Sequence, residues 1–338
     1  MTNDSIEIHS GPAVPGLTFR HFRGPADYPR MAAAIAASAE ADKVERVTTA
    51  EDLANSYAHL TNCDPDQDMI FAEMNSEVIG YSRGWWREEV TGSRVYEFVG
   101  FLVPAWRRKG IGRAMLAWME NRLRTVAGGH PAERPKFFQA FVTQDEAGLA
   151  AMLAGKGYQP IRYEWDMVCP TLEDIADFPL PEGLELRPAL SDHYRAIWDA
   201  AAEAFRDHWG YSEDTEEDYQ AWLVEKTVFQ PHLWQIAWDV ATNQIAGQVR
   251  TFIDQPQNEK FNRKRGFTEF ISVRRPWRRR GLARALIARS LEVQKQQGMN
   301  ESALSVDTEN LSGATRVYEA CGFRVVKQST IYRKPLGS

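Results

Sequence analysis

Cysteine is scarce in this 338-residue chain: Cys63, Cys169 and Cys321 stand far apart and are odd in number. That spacing supports neither a disulfide framework nor a metal cluster, and it points to a reducing compartment, the cytoplasm. Positive charge is also short. Lys and Arg total 40 against 46 Asp and Glu, a net charge of −6, which excludes a general basic face for nucleic acid. Long apolar runs are missing. The longest weakly apolar stretch, Met31 to Ala39, is Ala-rich and too short to span a bilayer. The opening MTNDSIEIHSG lacks the basic start and apolar core of a signal peptide. No Gly-Lys-Ser/Thr is present, which argues against a nucleoside-triphosphate module.

What is present is an ordinary globular composition, 43% hydrophobic and 25% charged, at a length that suits two cores better than one. The two halves repeat each other. Gly16-Leu-Thr-Phe-Arg20 parallels Gly183-Leu-Glu-Leu-Arg187, and Ile70 to Gly80 parallels Trp234 to Gly247. Arg107-Arg108-Lys109-Gly110-Ile111-Gly112 parallels Arg278-Arg279-Arg280-Gly281-Leu282-Ala283, and Gly157-Tyr158 parallels Gly322-Phe323. The offset stays between roughly 165 and 171 residues, as duplication of one domain requires. Each half reads strand, helices, strand pair, strand, long helix, strand, short helix, strand, which predicts an α/β mixed sheet flanked by helices. The expected division is a loose terminus at 1–15, domains at 16–168 and 183–338, and a Pro-rich acidic linker at 169–182.

The Arg/Gly segment follows an apolar run and opens a helical one in both halves. Small residues let backbone approach a ligand, and unpaired N–H groups of the first helical turn favour a pyrophosphate there. Arg-x-x-Gly-x-Gly/Ala in this setting resembles the acyl-CoA loop of the GNAT superfamily of N-acetyltransferases, and two copies resemble a tandem member. The resemblance implies two tandem GNAT folds, each a mostly antiparallel mixed sheet. It also implies acetyl-CoA as acyl donor and direct attack by the primary amine of a small molecule.

In the second half the resemblance implies that the backbone near Ile271, Ser272 and Val273 pairs with pantetheine and holds the oxyanion. Arg278, Arg279, Arg280, Gly281, Leu282, Ala283 and Arg284 are expected to hold the pyrophosphate. Asn310, Ala314, Tyr318 and Gly322-Phe323 match the superfamily's C-terminal signature, which makes Tyr318 the acid that protonates the departing thiolate and Asn310 a donor contact as well as a helix cap. Attack needs a neutral amine, so a carboxylate must take a proton. Glu269, on the strand leading to the oxyanion amides, is the candidate, with Asp307 second. His208, Trp209 and Tyr211 are expected to line the acceptor pocket, beside the acidic run Glu213 to Asp218.

The first half keeps the loop, with Leu102, Val103, Arg107, Arg108, Gly110 and Gly112 as a second cofactor set. It has Leu153 where the second half has Tyr318, and Asp145 and Leu149 at the Asn310 and Ala314 positions. It is therefore expected to bind CoA weakly or not at all. The segment Val306-Asp-Thr-Glu-Asn310 to Phe323 is also similar to that of mycothiol synthases, which implies a cysteinyl amino-sugar as an alternative acceptor. A nonenzymatic acyl-CoA sensor is the competing class. No metal, membrane or nucleic-acid partner is expected. Oligomeric state stays open, and a monomer is compatible.

Overall fold

The computed structural model describes residues 4–8, 11–309 and 313–337. The chain divides into two compact units, Met1–Ile161 with Thr330–Ser338, and Arg162–Ser329. Both boundaries fall inside strands rather than in the 169–182 segment.

The first unit contains β1 (Leu17–Arg20), α1 (Tyr28–Ala41), α2 (Ala50–Ala58), β2 (Met69–Met74), β3 (Glu77–Glu88), β4 (Arg94–Leu102), α3 (Ile111–Gly128), β5 (Lys136–Thr143) and α4 (Ala147–Ala154). Its strands lie in sequence order, antiparallel except for the parallel pair β4–β5. Alternation along these strands supplies two apolar faces. Ile111, Met115, Met119 and Leu123 recur at helical spacing on α3 and pack over Tyr96 and Phe138, while Met31 and Ile35 of α1 cover Phe71 and Tyr81.

β6 (Gln159–Cys169) passes into the second unit, whose further elements are β7 (Leu184–Arg187), α5 (Tyr194–Phe205), α6 (Glu216–Val224), β8 (Gln235–Asp239), β9 (Gln244–Phe252), α7 (Gln255–Phe261), β10 (Arg265–Val273), α8 (Leu282–Gln296), β11 (Glu301–Asp307), α9 (Ala314–Ala320) and β12 (Arg324–Pro335). The order β6-β11-β10-β9-β8-β7 is antiparallel except for β10–β11. β6 pairs with β11 from Ser302↔Cys169 to Asp307↔Glu164. Leu282, Leu286 and Leu291 of α8 form the core with Val249, Leu304 and Tyr318. The last residues, Thr330–Ser338, belong to the first unit.

Two expectations need correction. The opening segment is not loose in its described part: Ile6 donates its amide to Phe19 O at 2.8 Å, and Ile6, Ile8 and Val14 pack on the first core. The 169–182 segment has no helix or strand beyond Cys169, yet it is anchored. Leu172 is buried, bonds to Asn300 O at 3.1 Å, and with Ile175, Phe178 and Leu180 covers the second core. Apolar residues every few positions explain both. Helix α7 was not anticipated, although its signals are standard: Asp254 caps it by accepting from Gln257 N at 2.9 Å, and Asn262 ends it at φ +47°.

Candidate active site

In each unit a strand parts from its parallel neighbour, and the long helix starts beside the gap. The pairing β4–β5 stops at Glu97↔Gln139 and β10–β11 at Phe267↔Ala303. Beyond those points the facing strand edges carry no ladder partner. The turns that follow match closely. Arg108 and Arg279 take φ of +64° and +62°, and Gly110 and Gly281 take +84° and +87° as N-caps of α3 and α8. Neither helix has a side-chain cap, unlike α2 and α6, which Thr49 and Thr215 cap. The first-turn amides therefore stay open to an anion.

The loop cations divide by role. Arg278 is held by three bonds: its guanidinium donates to Val273 O at 2.9 Å, Asp207 at 2.7 Å and Ala204 O at 3.1 Å. Arg107 is held the same way, by Leu102 O at 3.1 Å, Asp42 at 2.6 Å and Ser38 at 2.7 Å. Both brace the turn against the C-terminal end of the unit's first helix, α1 or α5. Arg275 joins Arg278 on Asp207, and these bonds hold that carboxyl well below its usual range. Arg280 donates to Glu182 O at 2.9 Å. Arg279 and Arg284 pair with no carboxylate among the described residues, and Arg284 lies 5.2 Å from the Phe178 ring centroid.

The strands differ in one decisive respect. β3–β4 register runs without interruption from Gly80↔Leu102 to Glu88↔Arg94. β9–β10 register jumps between Glu269↔Arg250 and Ser272↔Gln248, so β10 holds one extra residue in a bulge, with Phe270 at φ +51°. Past the bulge, Ser272 and Val273 resume register with Gln248 and Gly247. Glu269 precedes the bulge and reaches across, accepting from Ser305 N on β11 at 2.8 Å. Its carboxylate is half-buried, yet protein surrounds it on most sides, and burial pushes it up to about 8. Asp166 and Glu164 of β6 add to the rise, against the amides of Ser305 and Phe270. Tyr318 on α9 is only 7% exposed. Burial and then the Glu269 charge raise its phenol above its ordinary value, so it stays protonated.

At the same register position the first unit has Val99, opposite Arg83, and it has Leu153, fully buried, in place of the phenol. Its gap nonetheless opens into a cleft of about 620 Å³ lined by Leu102, Arg107, Arg108, Gly110 and Gly112 of the anticipated set.

The acetyltransferase (GNAT) family model matches residues 33–132 and 194–323, both halves of the chain. The chain belongs to the GNAT family. It is an N-acetyltransferase built from two GNAT regions. Mycothiol acetyltransferase of Geodermatophilus obscurus is 26% identical over 260 residues, covering 76% of this chain and 79% of that protein. Mycothiol acetyltransferase of Salinispora arenicola is 30% identical over 65% of this chain and 67% of its own length. A solved GCN5-related N-acetyltransferase from Sphaerobacter thermophilus superposes with TM-score 0.71 at 26% identity, over 96% of both chains. A tandem GNAT protein from the clavulanic acid biosynthesis pathway matches in fold, with TM-score 0.66 at 17% identity over 95% of this chain and 99% of that one.

Around this GNAT cleft the acceptor candidates fall into two groups. Trp209 lies 5.5 Å from Arg162 of β6, and Arg162 donates to Asp307 at 2.8 Å. His208 packs on Phe205 and is lowered by burial, with Asp307 acting against that. Asp307 is thus tied to Arg162, which leaves Glu269 as the carboxylate in the gap. Tyr211 lies further along, and Asp214 acts on it. Asn310 lies outside the described residues. Sequence reasoning missed Arg162, Glu164 and Asp166, because their strand reads as the end of the first repeat. No helix of the described residues is long and apolar enough to cross a membrane.

Proposed function

We propose that acetyl-CoA is the acyl donor, that the acceptor is a primary amine of a small molecule, and that transfer occurs in the Arg162–Ser329 unit. One observation supports this reading: the bulged strand carries Glu269, whose charge acts on the buried phenol Tyr318, and the first unit has neither bulge, carboxylate nor phenol at the matching positions. The donor fits what the turn offers. The uncapped amides after Gly281, with Arg279 and Arg284, suit a pyrophosphate, and the amides near Ile271, Ser272 and Val273 suit pantetheine and the developing oxyanion. Arg278 shapes that turn instead of binding phosphate.

Glu269, directly or through a water, takes the proton that the ammonium must lose, and a carboxyl near 8 suits that transfer better than an ordinary one. Attack on the thioester carbonyl then forms the amide and releases the thiolate, to which Tyr318 returns a proton. The cytoplasm is the proposed location, supported by three free cysteines. The similarity to mycothiol acetyltransferases supports a cysteinyl amino-sugar as a second reading of the acceptor.

Titrating acetyl-CoA calorimetrically into wild type and Gly281→Glu tests the assignment. The new carboxylate blocks the pyrophosphate turn and takes a φ of +87° that favours glycine. Loss of binding is expected. Undiminished single-site binding would move the donor to the first unit.

A further inference from the structure

Arg250 stands in the middle of β9, directly opposite Glu269 in register. It is 5% exposed, and its Nε and Nη1 have no hydrogen-bond partner. Its Cζ lies 5.2 Å from the Trp222 ring centroid and 4.2 Å from that of Phe270, the bulge residue. Aromatic faces accommodate a guanidinium but accept none of its in-plane N–H groups. Asp214 acts on Arg250 through space without bonding those two nitrogens, and burial pulls the guanidinium down to about 10. Asp214 also acts on Tyr211, with which it shares a hydrogen bond, and the Ser212 hydroxyl is buried without a partner.

A buried cation without an acceptor is costly. The two unfilled nitrogens of Arg250 match an oxyanion. Residues directly opposite in an antiparallel pair share a sheet face. From there Glu269 turns to Ser305 on β11 while Arg250 lies against Trp222 of α6. The two groups thus diverge from one register position.

We infer that the acceptor amine carries an acidic group, a carboxylate or a phosphate, which Arg250 binds. This rests on amine acetylation at Glu269. It disfavours an uncharged amino-sugar. Arg83 holds the same register position in the first unit, opposite Val99 and against Tyr57 and Trp85, and serves as control.

The test compares matched amines in wild type by thiol release from acetyl-CoA: β-alanine with β-alaninamide, and O-phosphoethanolamine with ethanolamine. In one series the acidic member should show kcat/KM at least ~10-fold above its neutral partner, and the series that does so separates carboxylate from phosphate. Arg250→Gln should bring that ratio near one, Arg250→Lys should keep part of it, and Arg83→Gln should leave it intact. Thermal shift with the same compounds reads binding without turnover, and only the acidic members should stabilise wild type. Equal use of acidic and neutral members, or no acid-dependent stabilisation, would overturn the inference without any variant having to fold. Acid-dependent stabilisation with no amine acetylated would support the anion site and overturn the acetylation reading instead.

Discussion

Glu269 and Tyr318 are tuned in the same direction by the same burial and put it to different uses. A buried carboxyl resists ionising, and so does a buried phenol. For Glu269 the result is a base that titrates at about 8 and loses its function as pH falls below that value. kcat/KM should therefore drop about tenfold per unit on the acid side. Glu269→Gln should lower kcat/KM by about 100- to 10,000-fold and remove the break near 8, leaving only the dependence set by the substrate amine's own ionisation. A profile that keeps the break near 8 in the variant would move the base elsewhere. For Tyr318 the result is an acid that stays loaded across the working range. Tyr318→Phe keeps the ring packed against Phe323, where the centroids are 6.5 Å apart, so stability should hold. Steady-state kcat should fall about 100-fold, with acetyl-CoA binding retained. Unchanged turnover and pH dependence would remove it from the acid's role.

At the scale of elements, one residue separates the two strands that flank the clefts. Leu102 pairs with Gly80 and Val273 with Gly247, but between these pairs and Val99↔Arg83 or Glu269↔Arg250 only β10 has an extra residue. Deleting Phe270 should let β10 pair continuously, as β4 does. Circular dichroism should then remain native while turnover falls about 100- to 1,000-fold, the cost of losing an oxyanion donor. Full activity in the deletion would show that the bulge is incidental. The order of strands and helices was legible because each half reads the same pattern, so one half corrected the other. The bulge was not, since an extra residue shows only when a strand is aligned with its partner. Arg250 was also hidden, as a lone cation in an apolar strand whose meaning depends on what surrounds it. Arg278 read as a phosphate ligand because its motif does not reveal that Asp207 and two carbonyls already occupy its donors.

At the scale of the whole chain, the repeat suggests cutting at the 169–182 segment, and the packing argues against that cut. A fragment of residues 176–338 would lack β6, leaving the β11 edge from Ser302 to Asp307 without its antiparallel partner and Glu269 without Asp166 and Glu164. A fragment of residues 1–175 would lack Arg333 and Lys334, which belong to the first unit. Their partners Glu89 and Glu120 have side chains only 2% and 9% exposed. Removing one partner of a buried ion pair costs about 3–5 kcal/mol, a large share of a domain's stability. Neither fragment should therefore show a cooperative thermal transition when expressed alone, whereas the intact chain should. A chain truncated after Ser329 should unfold at lower temperature, with hydrogen exchange accelerated first at the end of β3 and in α3, where Glu89, just past the strand, and Glu120 lose their cations. If residues 176–338 alone unfolded cooperatively and still bound acetyl-CoA, the strand supplied by β6 would be dispensable, and the duplicated halves would be independent domains after all.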